Sequence, residues 1–155
     1  MRPWSLRMQT RRERLLWIGL LIVVATIRWP LLKGVYYRAA HVAAPASTIA
    51  WRSDLDTALA EARRTGRPVL VDVSASWCPP CIVMQHEVWP DASIERAVAD
   101  SYVPVFVDID RNAAVSDRFG IESIPTILVL DDRGQVVRRA AFLSASGMRR
   151  FLAGD

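Results

Sequence analysis

From Pro68 to Cys81 the chain reads PVLVDVSASWCPPC: a β-branched apolar run, four short or aromatic residues, then two cysteines separated by two prolines. An apolar run without polar alternation has the character of a strand covered on both faces. Prolines fit the first positions of a helix, where a backbone N–H has no intrahelical partner. The stretch therefore predicts a buried strand that hands the chain to a helix N-terminus, with Cys78 at the junction. A fold that accommodates it needs a sheet with helices on both faces.

The rest of the chain supplies those layers. Leu55, Ala58, Leu59 and Ala62 recur at helical spacing after Ser53 or Asp54, either of which is a suitable cap. Arg63 and Arg64 suit the last turn, and Gly66 suits the stop. After the cysteines a helix is expected to about Trp89, broken by Pro90, with a second piece from Ser93 carrying Ile94, Ala97 and Val98 on one face. Tyr102 to Ile109 reads as a second covered strand, Ala113 to Phe119 as a short helix closed by Gly120, and Thr126 to Leu130 as a third strand. Asp131-Asp132-Arg133-Gly134 turns it into Gln135–Ala140, and Ser144 or Ser146 opens a final helix with Met148, Phe151 and Leu152 inward. The helical crossover makes the first two strands parallel, and the hairpin makes the last two antiparallel.

The charge is unevenly distributed. Residues 1–38 carry eight basic groups against Glu13, whereas the remainder is net acidic. The basic end flanks LLWIGLLIVVATI, Leu15 to Ile27. As a helix these residues span about 20 Å, short of the roughly 30 Å hydrocarbon core. Extension to Tyr37 reaches spanning length and admits Arg28 and Lys33, which snorkel, while Trp29, Tyr36 and Tyr37 suit an interfacial belt. We read residues 1–14 as a cytoplasmic basic segment, 15–37 as a transmembrane signal-anchor, 38–48 as a linker and 49–155 as the folded domain. A cleaved signal peptide and a buried soluble helix are the alternatives; against the first, the small-x-small site Ala44-Pro45-Ala46 lies well beyond the apolar run. The five arginines preceding the run put the N-terminus in the cytoplasm and the folded domain outside it, with a single crossing of the membrane. The acidic folded part has no footprint for nucleic acid.

A pair of cysteines at this spacing favours catalysis, redox sensing or metal binding over scaffold bridges. The attacking species is a thiolate, and a helix N-terminus lowers a thiol pKa. Cys78 is accordingly expected to be exposed and nucleophilic, and Cys81, one turn in, buried and resolving. A four-ligand metal site would need two more ligands, and His41 and His86 are the available histidines; no metal is expected. Trp51 and Trp89 read as packing residues, Trp77 as part of the site, and Arg138-Arg139 and Arg149-Arg150 as solvated faces.

These motifs resemble the thioredoxin superfamily over roughly Ile49 to Leu152, through Val71-Asp72, Trp77-Cys78-Pro79-Pro80-Cys81, Val105 to Asp110, Phe119-Gly120-Ile121 and Ile124-Pro125-Thr126. Within it, Met84, Glu87, Trp89, Asp91, Ile94 and Tyr102 to Val105 are most similar to the C-terminal domain of bacterial thiol:disulfide interchange proteins, and the CPPC tetrapeptide is also seen in tryparedoxin-like proteins. The resemblance implies a thioredoxin-like α/β fold and an enzyme that reduces or exchanges disulfides in protein substrates, fed by a membrane or thioredoxin-type electron donor. It implies that Asp72 is the buried carboxylate exchanging protons with Cys81. It also implies that Pro125 is a cis-proline beside the site, leaving Ile124 free to pair with a substrate strand. No cofactor beyond the Cys78–Cys81 disulfide is expected. Glu87 matches the subfamily but carries no assigned chemistry. Ile82 stands where thioredoxins are often basic, and the prolines remove two N–H donors; with no cation nearby, a reductant is expected rather than a strong oxidant. A metal-binding chaperone using the cysteine pair, or a non-catalytic interaction module, are the competing functions.

Overall fold

Val69–Ser74 forms β1, the innermost strand, in a computed structural model that describes residues 11–154. Residues 1–10 of the basic segment lie outside the described residues. β1 pairs in parallel with β2 (Val103–Asp108), from Val69 opposite Val103 to Ser74 opposite Asp108. On its other edge it pairs antiparallel with β3 (Thr126–Leu130), which in turn pairs antiparallel with β4 (Val136–Ala140), giving the order β2-β1-β3-β4. All six residues of β1 and all five of β3 are buried, as the unbroken apolar runs require.

Helices cover both faces. Val69, Val71 and Val73 point to the side packed by α2 (Leu55–Thr65) and α5 (Ala113–Phe119), through Leu55, Leu59 and Phe119. Leu70, Ile127 and Val129 face the opposite side, packed by α3 (Pro79–Glu87), α4 (Ala92–Ser101) and α6 (Ala145–Ala153), through Met84, Ile94, Val98 and Met148. The expected caps resolve to single residues. Asp54 accepts from the Thr57 N–H at 2.7 Å and Ser144 accepts from Gly147. Gly66 closes α2 in the left-handed conformation that favours glycine. Pro90 separates α3 from α4, whose cap, Asp91, accepts from the N–H groups of Ser93 and Ile94.

Of the two arginine pairs, Arg139, Arg149 and Arg150 are exposed, as solvated faces are, whereas Arg138 is half-buried at the sheet edge. Arg138 Nη2 donates to the Tyr102 hydroxyl at 2.8 Å, Nη1 donates to the Phe151 carbonyl, and the guanidinium lies over the Phe151 ring. Arg139 donates to the carbonyls of Phe119 and Gly120. Arg149 pairs with Asp91 at 2.9 Å. The Tyr102 hydroxyl donates in turn to the Leu152 carbonyl at 2.7 Å, which fastens α6 to the start of β2. Tyr102→Phe is expected to cost about 1–2 kcal/mol in chemical denaturation, since it strands one carbonyl and one guanidinium donor.

Ahead of the domain, α1 (Arg11–Ala39) is bent. Its two parts, Glu13–Thr26 and Arg28–Ala39, diverge by 56°. Pro30 explains the position of the bend, since it lacks an N–H for the Thr26 carbonyl and its ring crowds that carbonyl. No single described helix is long and apolar enough to cross a membrane; the bent pair taken together meets that test by length and composition. Residues Leu15 to Val24 present exposed Leu, Ile, Val and Trp side chains. Lys33 and Tyr37 do not turn outward as an interfacial belt would. They face the domain, because Glu87 and His86 lie within reach.

Candidate active site

β1 ends at Ser74, and four residues later Cys78 caps α3, with Pro79 and Pro80 at its first two positions. Cys78 and Cys81 are joined by a disulfide. Among the described residues one N–H, that of Cys81, donates to Cys78 Sγ, at 3.3 Å. The sulfurs sit in a small apolar cluster with Ala75, against Ile109 and Ile124. Cys81 is 1% exposed, as expected of a resolving cysteine.

Cys78 is only 2% exposed, which corrects the expectation of an open nucleophile. The physical reason is packing: Cys78 lies with Ala75 and Cys81 against Ile109 and Ile124, and α1 lies on the adjoining Pro79. Pro30, Lys33, Gly34 and Tyr37 fall on one stripe of the second arm of α1, and that stripe lies on α3. Gly34 approaches so closely that a Cβ there would overlap the Pro79 carbonyl. Lys33 Nζ reaches both Glu87 carboxylate oxygens, at 2.7 and 2.9 Å, and the Tyr37 hydroxyl donates to Glu87 at 2.6 Å. The Tyr37 ring stacks on His86, with centroids 4.1 Å apart. Burial pushes the Glu87 carboxyl up, but the hydrogen bonds from Lys33 and Tyr37, with the Lys33 and His86 charges, outweigh it and hold the group below its ordinary value. Glu87, which had no role on sequence grounds, is thus the anchor of α1. Arg38 completes the contact, its Nη1 donating to the Trp77 carbonyl at 3.4 Å. A cation therefore stands beside the residue preceding Cys78, where none was expected, because it arrives from 39 residues earlier.

Asp72 is 3% exposed on the α3 side of the sheet, with Phe106 and Ile127 beside it on the neighbouring strands. The Trp89 indole N–H donates to its Oδ2 at 2.9 Å. Burial pushes the Asp72 carboxyl up from 3.8 to about 7, against the opposing effect of the Trp89 hydrogen bond. Trp89 packs edge-on against Trp51 at 5.0 Å, so it has the packing role expected of it and a polar one that was not. Spacing could not reveal that bond; an aspartate within an apolar strand and a tryptophan in the turn after the facing helix were its sole signal. A pocket of about 260 Å³ opens next to Asp72, between Gln85 and Trp89 on one side and Ala44 and Pro45 of the linker on the other.

The Ile124–Pro125 peptide is cis. Pro125 is buried and Ile124 half-buried, packed against the sulfur cluster, so the structure brings this pair to the cysteines. Trp77 is 50% exposed, its indole N–H donating to Asp110 Oδ2 at 2.8 Å. Asp110 thereby orients the one tryptophan beside the disulfide. His41 lies apart from the site, in the turn that ends α1, and His86 is engaged by Tyr37. No group of three or more His, Cys, Asp or Glu among the described residues is placed to hold a metal ion.

A family model described as thioredoxin-like matches residues 50–132. The thiol:disulfide interchange protein DsbD of Yersinia enterocolitica is 32% identical over 105 residues, covering 63% of this chain and 18% of that protein. DsbD 1 of Pseudomonas aeruginosa is 32% identical over 120 residues, covering 72% of this chain and 20% of that protein. The chain thus spans about a fifth of the length of these relatives. Among solved structures, a DsbH oxidoreductase superposes with a TM-score of 0.62 at 18% identity, covering 71% of this chain and 85% of that one, a likeness of fold.

Proposed function

The chain belongs to the thioredoxin-like family of disulfide oxidoreductases, and from that premise we propose that it is a membrane-tethered enzyme that reduces or exchanges protein disulfides outside the cytoplasm. The Cys78 thiolate attacks one sulfur of a substrate disulfide; that S–S bond breaks, and a mixed disulfide forms. Cys81 then gives its proton to Asp72 and attacks Cys78 Sγ. The substrate leaves as a dithiol, the Cys78–Cys81 disulfide remains, and two electrons have passed to the substrate. A membrane or thioredoxin-type donor returns the pair to the dithiol. Ile124 and Trp77 flank the place where a substrate strand would lie, and Pro125, lacking an N–H, leaves that edge open for pairing.

The observation that supports this reading most is the buried Asp72, with a carboxyl pushed up to about 7, in the strand leading to the cysteines. A group titrating there accepts and returns a proton near neutral pH. The prolines of the motif leave the Cys81 N–H as a sulfur donor, which favours a reductant, while the Arg38 cation at the Trp77 carbonyl works in the opposite sense. The tether is supported by the exposed apolar residues of α1 and the arginines at its start. The test is Cys81→Ser in native membranes. It is expected to accumulate mixed disulfides through Cys78 that dissolve on reduction. Failure to trap any protein partner, with the variant folded and reduced, sinks the proposal.

A further inference from the structure

The second arm of α1 has two usable faces. Lys33, Gly34 and Tyr37 bind α3, while Trp29, Leu32, Val35 and Tyr36 on the same arm are exposed. The bound face lies directly over the redox motif: Gly34 sits against Pro79, and Arg38 reaches the Trp77 carbonyl. Cys78 is almost wholly buried, and the docked arm covers the residues on either side of it, Trp77 and Pro79.

The first arm alone is too short to span. Glu13–Thr26 is about 21 Å of helix at 1.5 Å per residue, against a hydrocarbon core of roughly 30 Å. Spanning length is reached only when the residues beyond the bend are added. Those same residues form the contact with α3, so one helical segment cannot extend a membrane span and lie across the motif together. Its composition suits either setting. Lys33 exchanges its Glu87 partner for lipid headgroups by snorkelling, and Trp29 and Tyr36 suit the interface.

We propose that the Arg28–Ala39 arm is an interaction surface with two competing partners, the active-site helix and a lipid bilayer, and that its transfer to the bilayer uncovers Cys78. The inference rests on the membrane reading above. It gives Glu87 and Gly34 a purpose: the first holds the arm closed by charge, and the second lets it come close enough to seal the sulfur. Exchange is thereby confined to chains properly seated in a membrane.

The experiment uses the full chain carrying Cys81→Ser, reduced, with and without vesicles of phosphatidylcholine and phosphatidylglycerol. Co-sedimentation reports membrane binding, and iodoacetamide alkylation of Cys78 reports exposure. Vesicles are expected to raise the alkylation rate about tenfold or more, the mark of a displaced closed–open equilibrium. Adding Gly34→Ala, which forces the arm away from Pro79, or Glu87→Gln, which removes the anchoring charge, is expected to give the fast rate without lipid. Co-sedimentation with an unchanged alkylation rate overturns the exchange of partners and leaves the membrane reading standing. Absence of co-sedimentation overturns both. Slow alkylation of both folded variants in the absence of lipid shows that the arm is no barrier, and overturns the proposal independently of the bilayer.

Discussion

Asp72→Asn is expected to flatten the pH dependence of stability while slowing the resolving step. The native carboxyl holds its proton up to about pH 7, whereas the unfolded chain releases it near 3.8. Between those values the native state binds more protons, so stability is lost as pH rises through the window and levels off above it. At about 1.4 kcal/mol per unit, the burden of the ionised carboxylate reaches about 4 kcal/mol by pH 8, an upper bound for a group that can recruit water. The difference between wild type and Asp72→Asn, followed by urea denaturation of the oxidised proteins, should grow with pH across that range and vanish near pH 3. The same substitution removes the proton acceptor for Cys81. Turnover of a disulfide substrate should fall by about 10²-fold, the low end for a lost general base. Parallel pH–stability curves for the two proteins would show that this carboxyl is not the titrating group.

Cys78→Ser should bring exchange down to the uncatalysed background. A serine hydroxyl does not ionise near neutral pH and forms no mixed disulfide, and loss of a nucleophile reaches about 10⁶-fold in well-studied enzymes. The variant also cannot close the four-residue ring between Cys78 and Cys81. By chain entropy that closure is worth about 2 kcal/mol to the oxidised fold. Reduced wild type and Cys78→Ser should therefore unfold at similar urea concentrations, both below the oxidised wild type. Residual turnover carried by Cys81 alone would show that the attacking and resolving roles are reversed.

The elements were legible because each depends on its own neighbourhood: the apolar runs of β1 and β3, the stop at Gly66, the caps at Asp54 and Ser144. Asp72 was legible as well, since an acid within PVLVDV has to be buried wherever the strand goes. The face over the cysteines was not. Lys33 and Glu87 are 54 positions apart, and Arg38 and Trp77 are 39 apart. Periodicity tells which face of a helix is occupied and not by what. Arg138 was misjudged for the same reason, its partners Phe151 and Tyr102 lying 13 and 36 positions away in the chain. Gly34 carries a faint local clue, as a glycine between Lys33 and Val35 in an arm of mostly large residues, yet it reads equally well as a feature of a membrane span.

The position of β1 between two partners that both follow it has a consequence for how the protein is made. During synthesis β1 and both cysteines emerge before residues 103–108 and 126–130, the strands that close over it. Neither pairing is local, and long-range closure is the slow part of folding such a topology. Until Leu130 has been added, Asp72 remains in water at its ordinary acidity and the two thiols lie open to oxidants and stray partners. The nascent chain thus holds Asp72 and its dithiol before it has the flanking strands that bury the carboxyl. An oxidised Cys78–Cys81 pair formed early would restrain only a four-residue loop and would leave the later strands free to assemble.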